Sequence, residues 1–435
     1  MSTARATSVA VVGGGLAGLT AAVVLARAGA QVRMWRKNPG RVQTRRPNPE
    51  LPGWRIETGA PSVTHRASSV FRLAELLGVG APGTEGSGWR QMAPLARDRY
   101  VADGDRLRPV GVGTLGLRQA AEFGRGMMRH RPPAREETVA DWARLQFGPA
   151  IANGLARAMT VGIWGCAPEH LGFADAWPEL YTGLQTTSPM GLQARSAGQR
   201  SAVPSGTWTF AEGMGSLGTM ARDAFLQARG VLVEEPVMSL SEIDADAIVV
   251  ATDPTDAAEL VEGAETRELL LQVPHSPMAI VHWLAEPQER PRGFGMLVPP
   301  PDPVLGTLFM SDLRDEPGSP WAPAGLRSFT TMLGGYANPG WVDRPDTELI
   351  AEVVARHARW FGSTPALAAA HVVRWPRAVS IPSPGHRARV AAIVAAGQQG
   401  ARPLTYAGGW TAGGTLDDAV ASGFLAARSV LGEGT

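Results

Sequence analysis

One cysteine, Cys166, is too few for an internal disulfide framework and predicts a reducing, cytoplasmic setting. No apolar run reaches the roughly 18–20 residues of a membrane span. The first apolar stretch is broken by glycines, unlike the core of a secretory signal. An excess of either charge is missing too: 41 basic and 40 acidic residues leave a net +1, which argues against a nucleic-acid partner. The eight histidines stand without ligand spacing, so no metal site is predicted. Tyrosine is scarce, at 4, whereas tryptophan is abundant, at 13, and is read mainly as buried core rather than ligand wall. Cys166 is read the same way, as a small buried apolar residue. What remains is a chain of 435 residues, 44% hydrophobic and 19% charged, enough for two or three packed domains.

The first of these has a distinct opening. Val9-Ala10-Val11-Val12 runs into Gly13-Gly14-Gly15-Leu16-Ala17-Gly18, and an Ala/Leu-rich helix follows from Leu19 to Ala28. Strand, Gly-x-Gly-x-x-Gly turn and helix, in that order, form the dinucleotide fingerprint. The glycines let the backbone approach a pyrophosphate, which the helix N-terminus holds through free N–H groups and its positive dipole end. A second strand is predicted over Gln31 to Trp35. At its end, about 20 residues past the central glycine, a carboxylate should hold the ribose. The sequence has Trp35, then Arg36 and Lys37.

The nucleotide-binding pieces are not contiguous. Trp54 to Pro61 reads as a strand ending in a glycine turn. Gly213-Met214-Gly215 opens a helix ending near Gln227, and Val231–Val233 and Ala247–Ala251 read as buried strands. Leu404 to Gly409 is a last strand and turn, with a helix from about Leu416. The expected architecture is α/β: a Rossmann-like dinucleotide-binding domain (1–90, 205–265 and 395–435) interleaved with a mixed α+β substrate domain (266–394). A mostly helical insertion is expected over 91–204.

In this order the motifs resemble the flavin-dependent protoporphyrinogen/coproporphyrinogen oxidases, within the amine oxidase and phytoene desaturase superfamily. The resemblance is carried by Gly293-Phe294-Gly295-Met296-Leu297-Val298-Pro299 with Leu305 to Phe309, by Ser276 to Val281, and by Gly162-Ile163-Trp164-Gly165. Arg374-Trp375-Pro376 with Gly385-His386, and Arg99-Tyr100-Val101, also match. It implies FAD along Gly13, Gly15, Leu16, Ala17 and Gly18, with Trp35 and Arg36 at the ribose position. Glu57 and Gly59 would form a turn near the flavin, Val237 would follow the third strand, and Gly408, Gly409 and Leu416 would lie at the last strand and helix. A carboxylate of a polycyclic substrate would meet Arg99, between apolar walls at Leu297 and Phe309. The flavin supplies the redox chemistry, so no catalytic side chain is singled out.

The same resemblance exposes departures. Relatives carry Glu at the position of Trp35, an Arg-x-Gly-Gly turn after it, and Gly-Asp or Gly-Asn where this chain has Gly408-Gly409. Each missing polar interaction is worth roughly 1–3 kcal/mol, so two or three weaken FAD binding roughly 10²–10⁴-fold. A second reading follows: a former flavoprotein that acts as a ligand carrier or a cofactor-independent cyclase or isomerase. The basic residues Arg33, Arg36, Lys37, Arg41, Arg45 and Arg46 are either a solvated face or a receiver for an NADP phosphate. Glu57 caps a loop or faces the flavin. The N–H groups of Thr415 to Asp418 serve ordinary N-capping or face the flavin pyrimidine. His386 is read as structural. Leu115 to Arg131 is a solvated basic helix or a peripheral membrane contact.

Overall fold

Unbroken apolar character in the first strand requires cover on both faces of its sheet, and the computed structural model supplies it. The structure describes residues 8–93, 98–110, 116–197, 203–287, 291–314, 321–399 and 402–433. Five parallel strands stand in the order Val231–Val233, Gln31–Trp35, Ser8–Val12, Ala247–Val250 and Leu404–Tyr406. Val9 and Val11 point to one core, filled by the helices Leu16–Arg27, Gly215–Gln227 and Leu416–Val430. Ala10 and Val12 point to the other, which holds Ile248, Val250 and Ile393. Ile393 belongs to the helix His386–Gly397, so this helix packs on the nucleotide sheet although the sequence boundary at 394 assigns it to the substrate domain.

The second sheet has seven strands, in the order Leu367–Ser380, His275–Ala285, Arg327–Gly334, Val304–Leu308, Gly295–Leu297, Arg99–Asp103 and Arg106–Pro109. The last two correct the expected helical insertion: its first part is a hairpin that joins the substrate sheet, with Arg99 paired in parallel to Gly295. Helices fill the insertion only from Leu117 onward. Alternation again sorts the faces. Ala279, Val281 and Trp283 enter a core beneath the helix Asp346–Phe361, whereas Met278 and Ile280 face a cavity. No helix among the described residues is long and apolar enough to cross a membrane.

Candidate functional site

The cavity between the two sheets measures about 1120 Å³ and is continuous from the glycine turn to the substrate sheet. That exceeds the usual range for a drug-sized ligand, about 300–1,000 Å³. Its floor is the turn itself. Gly13, Gly15, Leu16 and Ala17 line it, and no side chain caps the first helix at Gly15. A Cβ on Gly15 would meet nothing within 4 Å. Open space over uncapped N–H groups at a helix N-terminus suits an anion. Gly18 does not line the cavity; it serves packing, since a Cβ there would lie 2.0 Å from Gly13 O. On the far side, Gly408, Gly409, Thr415 and Leu416 complete the floor. Thr415 and Asp418 form a capping box, so ordinary N-capping and cavity lining coincide in this segment.

The ribose end is built differently. Trp35 is half-buried against the same core as Val237, and neither residue lines the cavity. Trp35 O accepts from Gly13 N at 2.9 Å, which ties the second strand to the turn. Arg36 pairs with Glu234, one residue beyond the neighbouring strand Val231–Val233. Trp35, Arg36 and Val237 therefore form the wall behind the nucleotide end rather than its lining. Tested against FAD, the residues present fit the diphosphate and leave the ribose hydroxyls without a carboxylate at position 35.

Glu57 reaches the cavity wall, but its carboxylate is occupied. Oε1 accepts from Met214 N at 2.7 Å and from Arg314 Nη2 at 3.4 Å, and Oε2 accepts from Thr44 Oγ1 at 3.0 Å. Burial dominates these contacts and pushes its pKa up to about 7. It is thus a buried strut at the edge of the cavity. Gly59 lines the cavity beside it and packs so closely on Arg41 that a Cβ would lie 2.8 Å from Arg41 O.

The ceiling is apolar. Met278, Ile280, Leu297, Leu308, Met310 and Met332 line it, and Trp375 donates from Nε1 to Thr58 O at 2.8 Å to close one corner. The helix Arg157–Trp164 forms another wall through Val161 and Ile163; Gly162 lets it approach, since a Cβ would stand 3.0 Å from Leu297 Cδ2. Phe309 is a correction. It is fully buried in the core on the opposite side of the sheet, with Phe329 and Phe361, and Leu308 faces the cavity in its place. Leu308 pairs with Gly295, and Leu297 is two residues on, so these two leucines share a face that Phe309 cannot. Arg99 lines the cavity, with its guanidinium 4.7 Å above the Phe294 ring.

Charge in the lining is one-sided. Of its carboxylates, Glu57 pairs with Arg314, while Asp253 and Asp256 both pair with Arg377. Lys37, Arg41, Arg45 and Arg99 line the cavity and make no ion pair among the described residues. Of the basic cluster read as a solvated face or a phosphate receiver, Lys37, Arg41 and Arg45 line the cavity and Arg33, Arg36 and Arg46 do not. His386 is structural, with Nε2 against Trp410 O at 2.7 Å. Cys166 is buried, and burial pushes its thiol up to about 12. The helix Leu117–Met128 buries only Gly126 and leaves Leu117 exposed; Leu115 lies outside the described residues.

Comparisons agree with this geometry. The family model described as flavin containing amine oxidoreductase matches residues 227–431, and that of an NAD(P)-binding Rossmann-like domain matches residues 11–75. Among solved structures, a provisionally assigned protoporphyrinogen oxidase from Exiguobacterium sp. 255-15 superposes with TM-score 0.82 at 18% identity, covering 98% of this chain and 99% of its own. Cyclohexylamine oxidase from Brevibacterium oxydans IH-35A gives 0.71 at 16% identity, covering 98% and 99%. Reduced UDP-galactopyranose mutase gives 0.70 at 13% identity, covering 99% and 95%. At these identities the likeness is one of fold. No curated protein matches the sequence.

Proposed function

We propose that this chain, which belongs to the FAD-dependent amine oxidase superfamily, binds FAD and removes hydrogen from a bulky, apolar, polycyclic substrate bearing an anionic group. The observation that carries the reading is one continuous cavity, with an uncapped glycine turn at one end and an apolar chamber edged by Arg99 at the other. FAD, when bound, would supply the hydride-accepting redox chemistry. The chain's own part is binding and orientation. The amides of Gly14 to Ala17 would hold the diphosphate, and Leu416 and its neighbours would meet the flavin ring. Leu297, Leu308 and Met332 would grip a flat hydrophobic body, and Arg99 offers a fork to a carboxylate. Unpaired cations around the cavity disfavour an amine substrate, whose positive charge they repel.

The first test is the visible spectrum of the protein after incubation with FAD and desalting. A retained flavin spectrum, followed by oxidation of a carboxylated porphyrinogen or related polycycle, supports the reading. Absence of flavin binding in a folded protein overturns it and favours the non-redox reading, which the missing ribose carboxylate at Trp35 motivates. Arg99→Ala is expected to weaken a carboxylated substrate about tenfold or more, at roughly 1.5–3 kcal/mol for a charged hydrogen bond. FAD affinity should stay unchanged. Equal substrate affinity in both proteins removes Arg99 from the substrate site.

A further inference from the structure

Three residues of the apolar chamber stand in one row across the substrate sheet. Arg99 pairs with Gly295, Gly295 with Leu308, and Leu308 with Thr330, on four neighbouring strands. Adjacent strands lie about 4.8 Å apart, so the backbones at Arg99 and Thr330 are roughly 14 Å from each other. Arg99, Leu308 and Thr330 all line the cavity. On the strand Arg327–Gly334, Thr330 and Met332 face it, whereas Thr331 turns to Trp283 and Thr307 on the far side. Thr330 thus brings a hydroxyl into an otherwise apolar stretch of the ceiling, beside Leu308, Ile280 and Met332.

That hydroxyl is fixed from behind. Thr330 Oγ1 lies 3.0 Å from Nδ1 of His282, its partner on the strand His275–Ala285. His282 is 1% exposed and does not line the cavity. Burial, with His371 facing it on the next strand, brings its pKa down to about 3, so the ring is neutral and carries one N–H. Nε2 is buried and has no hydrogen-bond partner among the described residues. A proton there would leave a buried N–H unmet, whereas a proton on Nδ1 is donated to Thr330 Oγ1. The hydroxyl of Thr330 then keeps its own proton for the cavity. The far side of the sheet gives the contrast. Thr307 and Thr331 hydrogen-bond each other there, and His357 has a partner at both nitrogens, Val353 O at 2.7 Å and Thr307 Oγ1 at 2.8 Å. That group is closed within the core, while the pair of Thr330 and His282 opens on the chamber.

We propose that Thr330, held by His282, donates a hydrogen bond to a carbonyl oxygen of the substrate and so selects polycycles oxygenated away from the group that Arg99 holds. This rests on the reading of the chamber as the substrate site. A neutral acceptor suits the place better than a second carboxylate, because the sheet neighbours Leu308, Ile280 and Met332 supply no counter-charge. His282 meets no substrate itself and is a positioning residue.

The test is calorimetric titration of the protein, in excess FAD, with anthraquinone-2-carboxylate and with anthracene-2-carboxylate, the same three rings without the carbonyls. The quinone is expected to bind the wild type about three- to tenfold more tightly, as for one neutral hydrogen bond. Thr330→Val, which keeps the shape of the side chain, should abolish that preference and leave the affinity for the hydrocarbon unchanged. Thr330→Ser should retain the preference. His282→Asn, whose amide nitrogen takes the place of Nδ1, should retain it as well, and His282→Leu should lose it. Arg99→Ala should weaken both probes and leave their ratio intact. Equal affinities in the wild type, or a preference that survives in Thr330→Val, overturn the role of Thr330 and leave the reading of the chamber standing. An equal fall for both probes in Thr330→Val marks a structural role and also overturns it. If neither probe binds the wild type, the reading of the chamber falls and the proposal with it.

Discussion

Valine at position 15 is expected to leave the protein folded and unable to retain flavin. Gly15 has φ −76° and ψ 174°, a conformation open to any L-residue. A Cβ there meets nothing within 4 Å, so the substitution adds no clash to the apo fold. The open space is the cavity over the first turn of the helix Leu16–Arg27, and two valine methyls would stand between the amides and a phosphate. Several hydrogen bonds to a charged group are lost together, each worth roughly 1.5–3 kcal/mol, so FAD affinity should drop at least about 100-fold. Thermal melting followed by circular dichroism should change little, while the flavin spectrum after desalting should vanish. Gly18→Ala is the contrasting control. Its Cβ would lie 2.0 Å from Gly13 O, and the clash should lower the melting temperature whether or not flavin is present. Flavin retained by a folded Gly15→Val protein would remove the diphosphate from this turn.

The nucleotide half was legible because its signals are local. A short apolar strand, a glycine turn and an Ala/Leu-rich helix follow one another within thirty residues, and the strand Gln31–Trp35 and the helix starting at Leu416 stand where the sequence predicts them. The substrate half was legible only in part, because its sheet is assembled from distant segments. Arg99 reaches Leu297 through a parallel pairing of Arg99–Val101 with Gly295–Leu297, which nothing near Arg99 announces. Hence a stretch read as the start of a helical insertion is an edge hairpin of the sheet. Phe309 shows a finer limit. Hydrophobicity nominates Leu308 and Phe309 equally, and the pleat alone decides which faces the ligand. Glu57 stayed open between a loop cap and a flavin contact, because Met214 and Arg314, its buried partners, lie far away in the chain.

Those partners make Arg314→Met the substitution with the largest expected effect on stability. Arg314 donates to Phe210 O at 3.1 Å, to Thr209 Oγ1 at 2.8 Å and to Glu57, with its guanidinium 3.6 Å above the Trp321 ring. It thereby ties the substrate sheet's end to the strand Thr207–Phe210 and to the start of the helix Gly215–Gln227. Removing one partner of a buried ion pair costs about 3–5 kcal/mol, and that loss is expected in denaturant unfolding at pH 8. The wild type should carry its own signature. Glu57 titrates near 7 when folded, because burial outweighs Arg314 and the donors around it, against an ordinary value of 4.5. Between those values the folded chain keeps a proton that the unfolded chain releases. Stability should therefore fall as pH rises from about 4.5 to 7, by roughly 3 kcal/mol in all, and level off above. Glu57→Gln should flatten that window. In Arg314→Met the loss should be smaller at pH 6 than at pH 8, since a protonated Glu57 needs no counter-charge. Glu57→Gln combined with Arg314→Met should be less destabilised at pH 8 than the sum of the single changes. Strict additivity, or a loss independent of pH, would show that the Glu57 carboxylate does not depend on Arg314 for its charge.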